Sequence, residues 1–192
     1  MRALDASYLA GFLDGDGSIH FQLVRQDGYR HGFYIRATVS FSQRTSSRAG
    51  LERLHTMLGV GYLRDRGTGM SDLVITSRPA LLYLLGAIEP YAVFKKRHVQ
   101  EALRILPQIR SRMTVHEFLV VARQVDAFAA LNYSKTKRIS AADVEQYLRS
   151  KGVLAPVTTS RSQLTLGDGF APAIRRIHAT HNTPAPGNRM KV

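Results

Sequence analysis

From residue 19 to residue 41 most of the large apolar side chains stand on odd numbers. Ile19, Phe21 and Leu23 alternate with Ser18, His20, Gln22 and Val24. After turn chemistry at Asp27-Gly28, Phe33, Ile35, Ala37, Val39 and Phe41 alternate with Tyr34, Arg36, Thr38, Ser40 and Ser42. Successive strand side chains point to opposite faces, so a period of two sustained this long requires a half-buried antiparallel hairpin. One face must be packed against other elements, and the other is left to solvent or to a partner.

On either side the spacing is helical. A first helix is expected from Asp5, an N-cap residue type, through residue 13, with Gly15 and Gly17 ending it. Tyr8, Leu9, Phe12 and Leu13 form its apolar stripe. Ser7, Gly11 and Gly15, four residues apart, form a strip almost bare of side chains on which another backbone can pack closely. Residues 46–58 are helical through Leu51, Leu54 and Leu58, and Gly59 closes them. A second hairpin follows at 60–66 and 71–76, with Gly67 and Gly69 in its turn and Leu73 and Ile75 facing inward. Pro79 opens a helix through Leu81, Leu84, Leu85 and Ile88. Further helices are expected at 94–106, 115–131 and 140–151. The order αββαββα, followed by helices, describes an α+β unit with one four-stranded antiparallel sheet. Residues 1–152 read as a single domain. Residues 153–192 turn to Pro, Gly, Ser and Thr with several Arg and read as a loosely structured basic tail. The small-residue strip does not recur in the sequence, so it needs a partner from a second chain.

A chain of 192 residues that is 44% hydrophobic suits one packed core. Without cysteine, disulfides and thiolate metal sites are excluded, and a bound metal must take oxygen or imidazole. No apolar run reaches the roughly 20 residues that span a bilayer, and no leader pattern opens the chain, so a soluble, intracellular protein without a membrane partner is expected. The 27 basic residues against 14 acidic ones give a net charge of +13, which points to a polyanion partner.

Asp14-Gly15-Asp16-Gly17 puts two carboxylates at the C-terminal end of the first helix, where the helix dipole is already negative. Each acid there costs about 0.3–1 kcal/mol. If two copies meet along the small strip, their acidic ends meet as well, and a hard cation such as magnesium relieves the repulsion. A plain turn-capping role for the acids is the alternative. A calcium EF-hand loop is excluded, because Ile19 stands where that loop needs glycine and Arg25 where it needs glutamate.

Tyr8-Leu-Ala-Gly-Phe-Leu-Asp-Gly-Asp-Gly-Ser18 resembles the motif of the LAGLIDADG homing endonucleases, in their single-motif homodimeric group. Gly59-Val-Gly-Tyr-Leu-Arg-Asp-Arg-Gly67, Glu89-Pro-Tyr-Ala-Val-Phe-Lys95 and Ala130-Leu-Asn-Tyr-Ser-Lys-Thr-Lys137 follow in that group's order at nearly its spacing. The resemblance implies an αββαββα fold with a saddle-shaped sheet in each subunit and a dimer interface on the first helix at Ser7, Gly11 and Gly15. It implies that Asp16, with the Gly15 carbonyl, holds Mg2+, a site that Mn2+ or Ca2+ can also occupy. Asp16, Gln43 and Lys95 are the implied catalytic residues, the last two ordering water and charge at the scissile phosphate. The group's basic residue four positions after Gln43 is Ser47 here, which leaves two readings open: Arg44 or Arg48 substitutes, or the site is slower.

The implied reaction is metal-dependent hydrolysis of double-stranded DNA at a long pseudo-palindromic site, leaving 3′ overhangs, in the service of intron homing. Gln22, Val24, Gln26, Tyr34, Arg36, Thr38, Ser40, Tyr62, Arg64, Arg66, Asp72 and Val74 are expected on the open sheet face, suited to base edges in the major groove. Ser134, Lys135, Lys137 and Arg138 form a basic turn suited to phosphates. A cleavage-inactive relative, either an RNA maturase or a DNA-binding regulator, is the competing reading, opposed by the retained Asp16, Gln43 and Lys95. A His-Asn nuclease centre at His178 to Asn182 lacks a metal-ligand partner at suitable spacing. The resemblance also implies an organellar gene (chloroplast or mitochondrion) or a microbial one.

Overall fold

The odd-numbered alternation becomes the first pairing of a four-stranded antiparallel sheet. A computed structural model describes residues 1–132 and 138–154 of the chain. Helix α1 (Ala3–Asp16) leads directly into β1 (Gly17–Arg25), and β2 (Phe33–Arg44) returns beside it. Helix α2 (Arg48–Leu58), strands β3 (Tyr62–Arg66) and β4 (Met70–Ile75), and helix α3 (Arg78–Ile88) follow. The chain then runs through α4 (Lys96–Ile105), α5 (Val115–Ala129) and α6 (Ala141–Ser150). The strand order is β1-β2-β4-β3. Ile19 stands opposite Val39, and Phe41 opposite both Gly17 and Leu73, which sets the odd positions of three strands on one face. Leu9 and Leu13 of α1, Leu84 and Ile88 of α3, Val99 of α4 and Phe128 of α5 pack with that face in a single core. Phe12 stacks on Phe41 at 5.5 Å, and Phe21 meets Phe128 edge-on at 4.8 Å.

Several boundaries differ from expectation for physical reasons. Helix α1 starts at Ala3, and Asp5 lies in its first turn, bonded to the Arg2 guanidinium at 2.9 Å, where an acid favours the helix dipole. Its buried stripe is Ala6, Leu9, Ala10 and Leu13, and Tyr8 points outward. The first hairpin reverses through a wider loop than Asp27-Gly28 alone, because the Gln26 amide donates to the Gly32 carbonyl at 2.9 Å. Gly32 has φ 70°, and a Cβ on it would stand 3.0 Å from the Tyr147 ring, so conformation and space both select glycine. Helix α4 begins at Lys96 rather than at residue 94. Helices α5 and α6 each open with a capping box, Thr114 with Glu117 and Ser140 with Asp143. The described residues belong to one compact unit, Met1–Pro156. Ser134, Lys135, Lys137 and nearly all of the expected tail lie outside the described residues.

Candidate active site

The C-terminal corner of α1 is built on Gly17. A Cβ there would stand 2.7 Å from Leu13 Cα, so only glycine lets the helix turn straight into β1. The corner sends its two acids in different directions. Asp16 is exposed, and its Oδ2 accepts a 2.8 Å hydrogen bond from Gln43 Nε2 at the end of β2. Its Oδ1 takes no hydrogen bond among the described residues. Asp14 faces the segment between α3 and α4, where its Oδ2 accepts from the amides of Val93 at 2.7 Å and Phe94 at 3.1 Å. Its Oδ1 accepts from the Lys95 amide at 2.8 Å. The Lys95 ammonium donates to the Asp14 main-chain carbonyl at 2.6 Å, placing a cation at the negative end of the helix. Three amides satisfy Asp14, so of the two acids read at this helix end Asp16 is the one left exposed. Asp16, Gln43 and Lys95 do converge on this corner, although 79 residues separate the first from the last.

The two arginines left open near Ser47 also separate. Arg48 is committed to Asp65 at 3.0 Å and to Glu52 one helical turn away, whereas Arg44 has no ion-pair partner among the described residues.

The small-residue strip faces outward, and a Cβ added at Gly11 or Gly15 would meet nothing within 4 Å. Ser7, Gly11, Asp14 and Gly15 line one surface hollow with Tyr91, Val93 and Phe94. Leu4, Tyr8, Val93 and Phe94 are 76%, 61%, 71% and 84% exposed, which makes an apolar rim around the strip of the kind that marks a contact surface. Sequence reasoning missed Val93 and Phe94 by assigning residue 94 to a helix. The available signal was two large apolar residues directly before Lys95 with no place on the buried face of α4.

Of the expected sheet-face residues, Arg36, Tyr62, Arg64 and Arg66 are exposed and Gln22, Val24 and Tyr34 partly so; Gln26, exposed, lies just past the end of β1, and Arg138, partly exposed, lies outside the strands. Thr38, Ser40, Asp72 and Val74, expected to be exposed, are buried. They lie on the two central strands, where short side chains are covered by longer neighbours. Ser40 Oγ is 2.9 Å from Ser18 Oγ, and Val74 stands between Ser40 and Tyr62 in the register. Asp72 is roofed by Arg64 at 2.8 Å and Arg66 at 2.6 Å, and it also accepts from the Ser42 hydroxyl at 2.7 Å. Burial pushes this carboxyl up, yet the hydrogen bonds from Arg66, Arg64 and Ser42 outweigh it and hold the group below its ordinary range. His20 is a face residue that the sequence reading left out although its even number placed it there. Burial, then the charges of Arg138, Arg36 and Arg64, lower its imidazole below the usual value, so the ring is neutral at pH 7.

A sequence model described as LAGLIDADG endonuclease matches residues 9–101. The DNA endonuclease I-CreI of Chlamydomonas reinhardtii is 36% identical over 144 residues, covering 74% of this chain and 88% of the relative. The chain belongs to the LAGLIDADG endonuclease family. A second LAGLIDADG relative, the DNA endonuclease I-CvuI of Chlorella vulgaris, is 27% identical over 149 residues, or 78% of this chain and 92% of that protein. Its crystal structure, solved with its target in the presence of calcium, superposes with a TM-score of 0.74 and covers 78% of this chain and 96% of that one. The archaeal intron-encoded I-Vdi141I, complexed with DNA, has a TM-score of 0.69 at 15% identity, covering 78% of this chain and 98% of its own, and shares the fold. The four-stranded antiparallel sheet with its helices is thus the LAGLIDADG α+β fold. Among the described residues no helix is long and apolar enough to cross a membrane.

Proposed function

We infer that two copies of this chain pair along Ser7, Gly11 and Gly15 and hydrolyse both strands of a long, pseudo-palindromic DNA site, as homing endonucleases do, leaving 3′ overhangs. The observation that carries this reading is the corner of α1, where exposed Asp16 is held by Gln43 and the Lys95 ammonium lies at the same helix end. I-CvuI has been crystallised on DNA in the presence of calcium and of magnesium, and a divalent cation suits this corner too. Asp16 Oδ1 and the Gly15 carbonyl are hard oxygen donors. Among the described residues no three acids or histidines gather to enclose a metal, so a site built here is completed by the second copy, DNA oxygens and water. Magnesium is the ion we assign. A divalent cation bound there lowers the pKa of a water and neutralises charge on the phosphate and leaving oxygen.

The chain's own residues do the rest. Gln43 fixes the Asp16 carboxylate and offers a hydrogen-bonding group beside it, and Lys95 supplies positive charge where the leaving oxygen develops its own. Gln22, Gln26, Arg36, Tyr62, Arg64 and Arg66 present donors and acceptors to the major groove, and Arg138 lies near the phosphates. The encoding genome we take to be organellar or microbial.

Selection of cleaved sites from a randomised DNA library with magnesium tests the reading. Asp16→Asn is expected to abolish cutting while calcium-supported binding to the selected site persists. Undiminished cutting by Asp16→Asn removes the assignment, and a native protein that shifts DNA without cutting it marks a binder.

A further inference from the structure

We propose that Asp14 is a positioning residue that sets Lys95 for the reaction by tying the Val93–Lys95 segment to the end of α1; this rests on the role given to Lys95 above. Asp14 makes four hydrogen bonds to that segment, and two of them go to Lys95. Its carboxylate takes the Lys95 amide, and its main-chain carbonyl takes the Lys95 ammonium. The lysine is thus fixed at both ends of its side chain by one residue.

Among the described residues no other side chain bonds to these three amides. Val93 and Phe94 are exposed, so core packing does not anchor them. The amides of Val93, Phe94 and Lys95 lie just before α4, outside its hydrogen-bonded turns, and the Asp14 carboxylate is the acceptor that all three share. The Asp14 carbonyl is itself one of the acceptors that the end of α1 leaves unpaired, and the ammonium satisfies it with charge assistance. Asp14 and Asp16 are the same residue type two positions apart, and the corner divides them between holding the machinery and facing the substrate. The division also links Lys95 to the rim of the small-residue strip, because the same carboxylate holds Val93 and Phe94 in that rim.

The test is a double-mutant cycle on single-turnover cleavage of a selected site with magnesium, using native protein, Asp14→Asn, Lys95→Met and the double variant. Asparagine keeps the shape but replaces one acceptor oxygen with an amide nitrogen that cannot accept. We expect Asp14→Asn to slow cutting roughly ten- to hundred-fold, with calcium-supported binding changed far less. In the Lys95→Met background the same substitution is expected to cost almost nothing. Equal losses in both backgrounds, with native protein cutting normally, overturn this inference alone. Native protein that binds DNA without cutting defeats the proposed function and this inference with it. A measurement free of variants stands beside the cycle: amide hydrogen exchange in the native protein should be slow at Val93, Phe94 and Lys95, and exchange at exposed-loop rates overturns the clamp.

Discussion

Asp72 shows how a single buried carboxylate decides which groups on the sheet are available. It has no solvent exposure, and Arg64 and Arg66, each about half exposed, both bond to it. Hydrogen bonds to a charged group each contribute about 1.5–3 kcal/mol, so Asp72→Asn is expected to lower stability by an amount of that order at pH 7, read by urea unfolding. The carboxyl sits below its ordinary value of 3.8, so its contribution is complete above that pH and is lost as pH falls through the lower folded value. The gap between native and Asp72→Asn stabilities should therefore shrink as pH falls below 3.8; a constant gap refutes the linkage. Ser47 poses a second question at this scale. With Arg48 held by Asp65 and Glu52, Arg44 is the cation left to stand in. Arg44→Ala is expected to slow cleavage by about tenfold and Ser47→Lys to raise it, each by single-turnover rate. Neither distinction was legible beforehand. Odd and even numbering assigns a side chain to a face, but only the register shows that Asp72 lies beneath two arginines.

Helix α1 has three duties on three parts of its surface: Leu9 and Leu13 fill the core, Ser7, Gly11 and Gly15 stay bare, and the last turn carries the acids. Spacing alone revealed the first two, because residues four apart share a helix face whatever surrounds them. The clamp on Val93 to Lys95 was hidden for the opposite reason. Its partners are 79 to 81 residues away, and no local periodicity encodes such a contact. Gly11→Leu tests the strip. Within the chain the new side chain meets open space, so the helix content read by circular dichroism should persist. Sedimentation should nevertheless find monomers and cutting should disappear; a dimer that still cuts would show that the copies meet elsewhere.

Across the whole molecule, the net charge of +13 is spread beyond the residues that face the open sheet. Arg161, Arg175, Arg176, Arg189 and Lys191 all follow Pro156, the last residue of the compact unit. A chain ending at Pro156 is expected to keep site-specific cutting, and its affinity should fall less steeply as salt rises. Six to ten phosphate contacts correspond to a loss of about 10³–10⁵ in affinity between 50 and 200 mM salt, so losing a few is measurable. An unchanged slope would show that these residues do not touch DNA. The α-and-β order and the core were legible because burial imposes periods of two and 3.6 on any chain. Where the tail lies relative to DNA has no such imprint. Each chain brings a single acid that is exposed, with one carboxylate oxygen still open among the described residues, to the end of its first helix. If the site is completed only by pairing, then below the dimer's dissociation constant the number of complete sites should rise with the square of the chain's concentration.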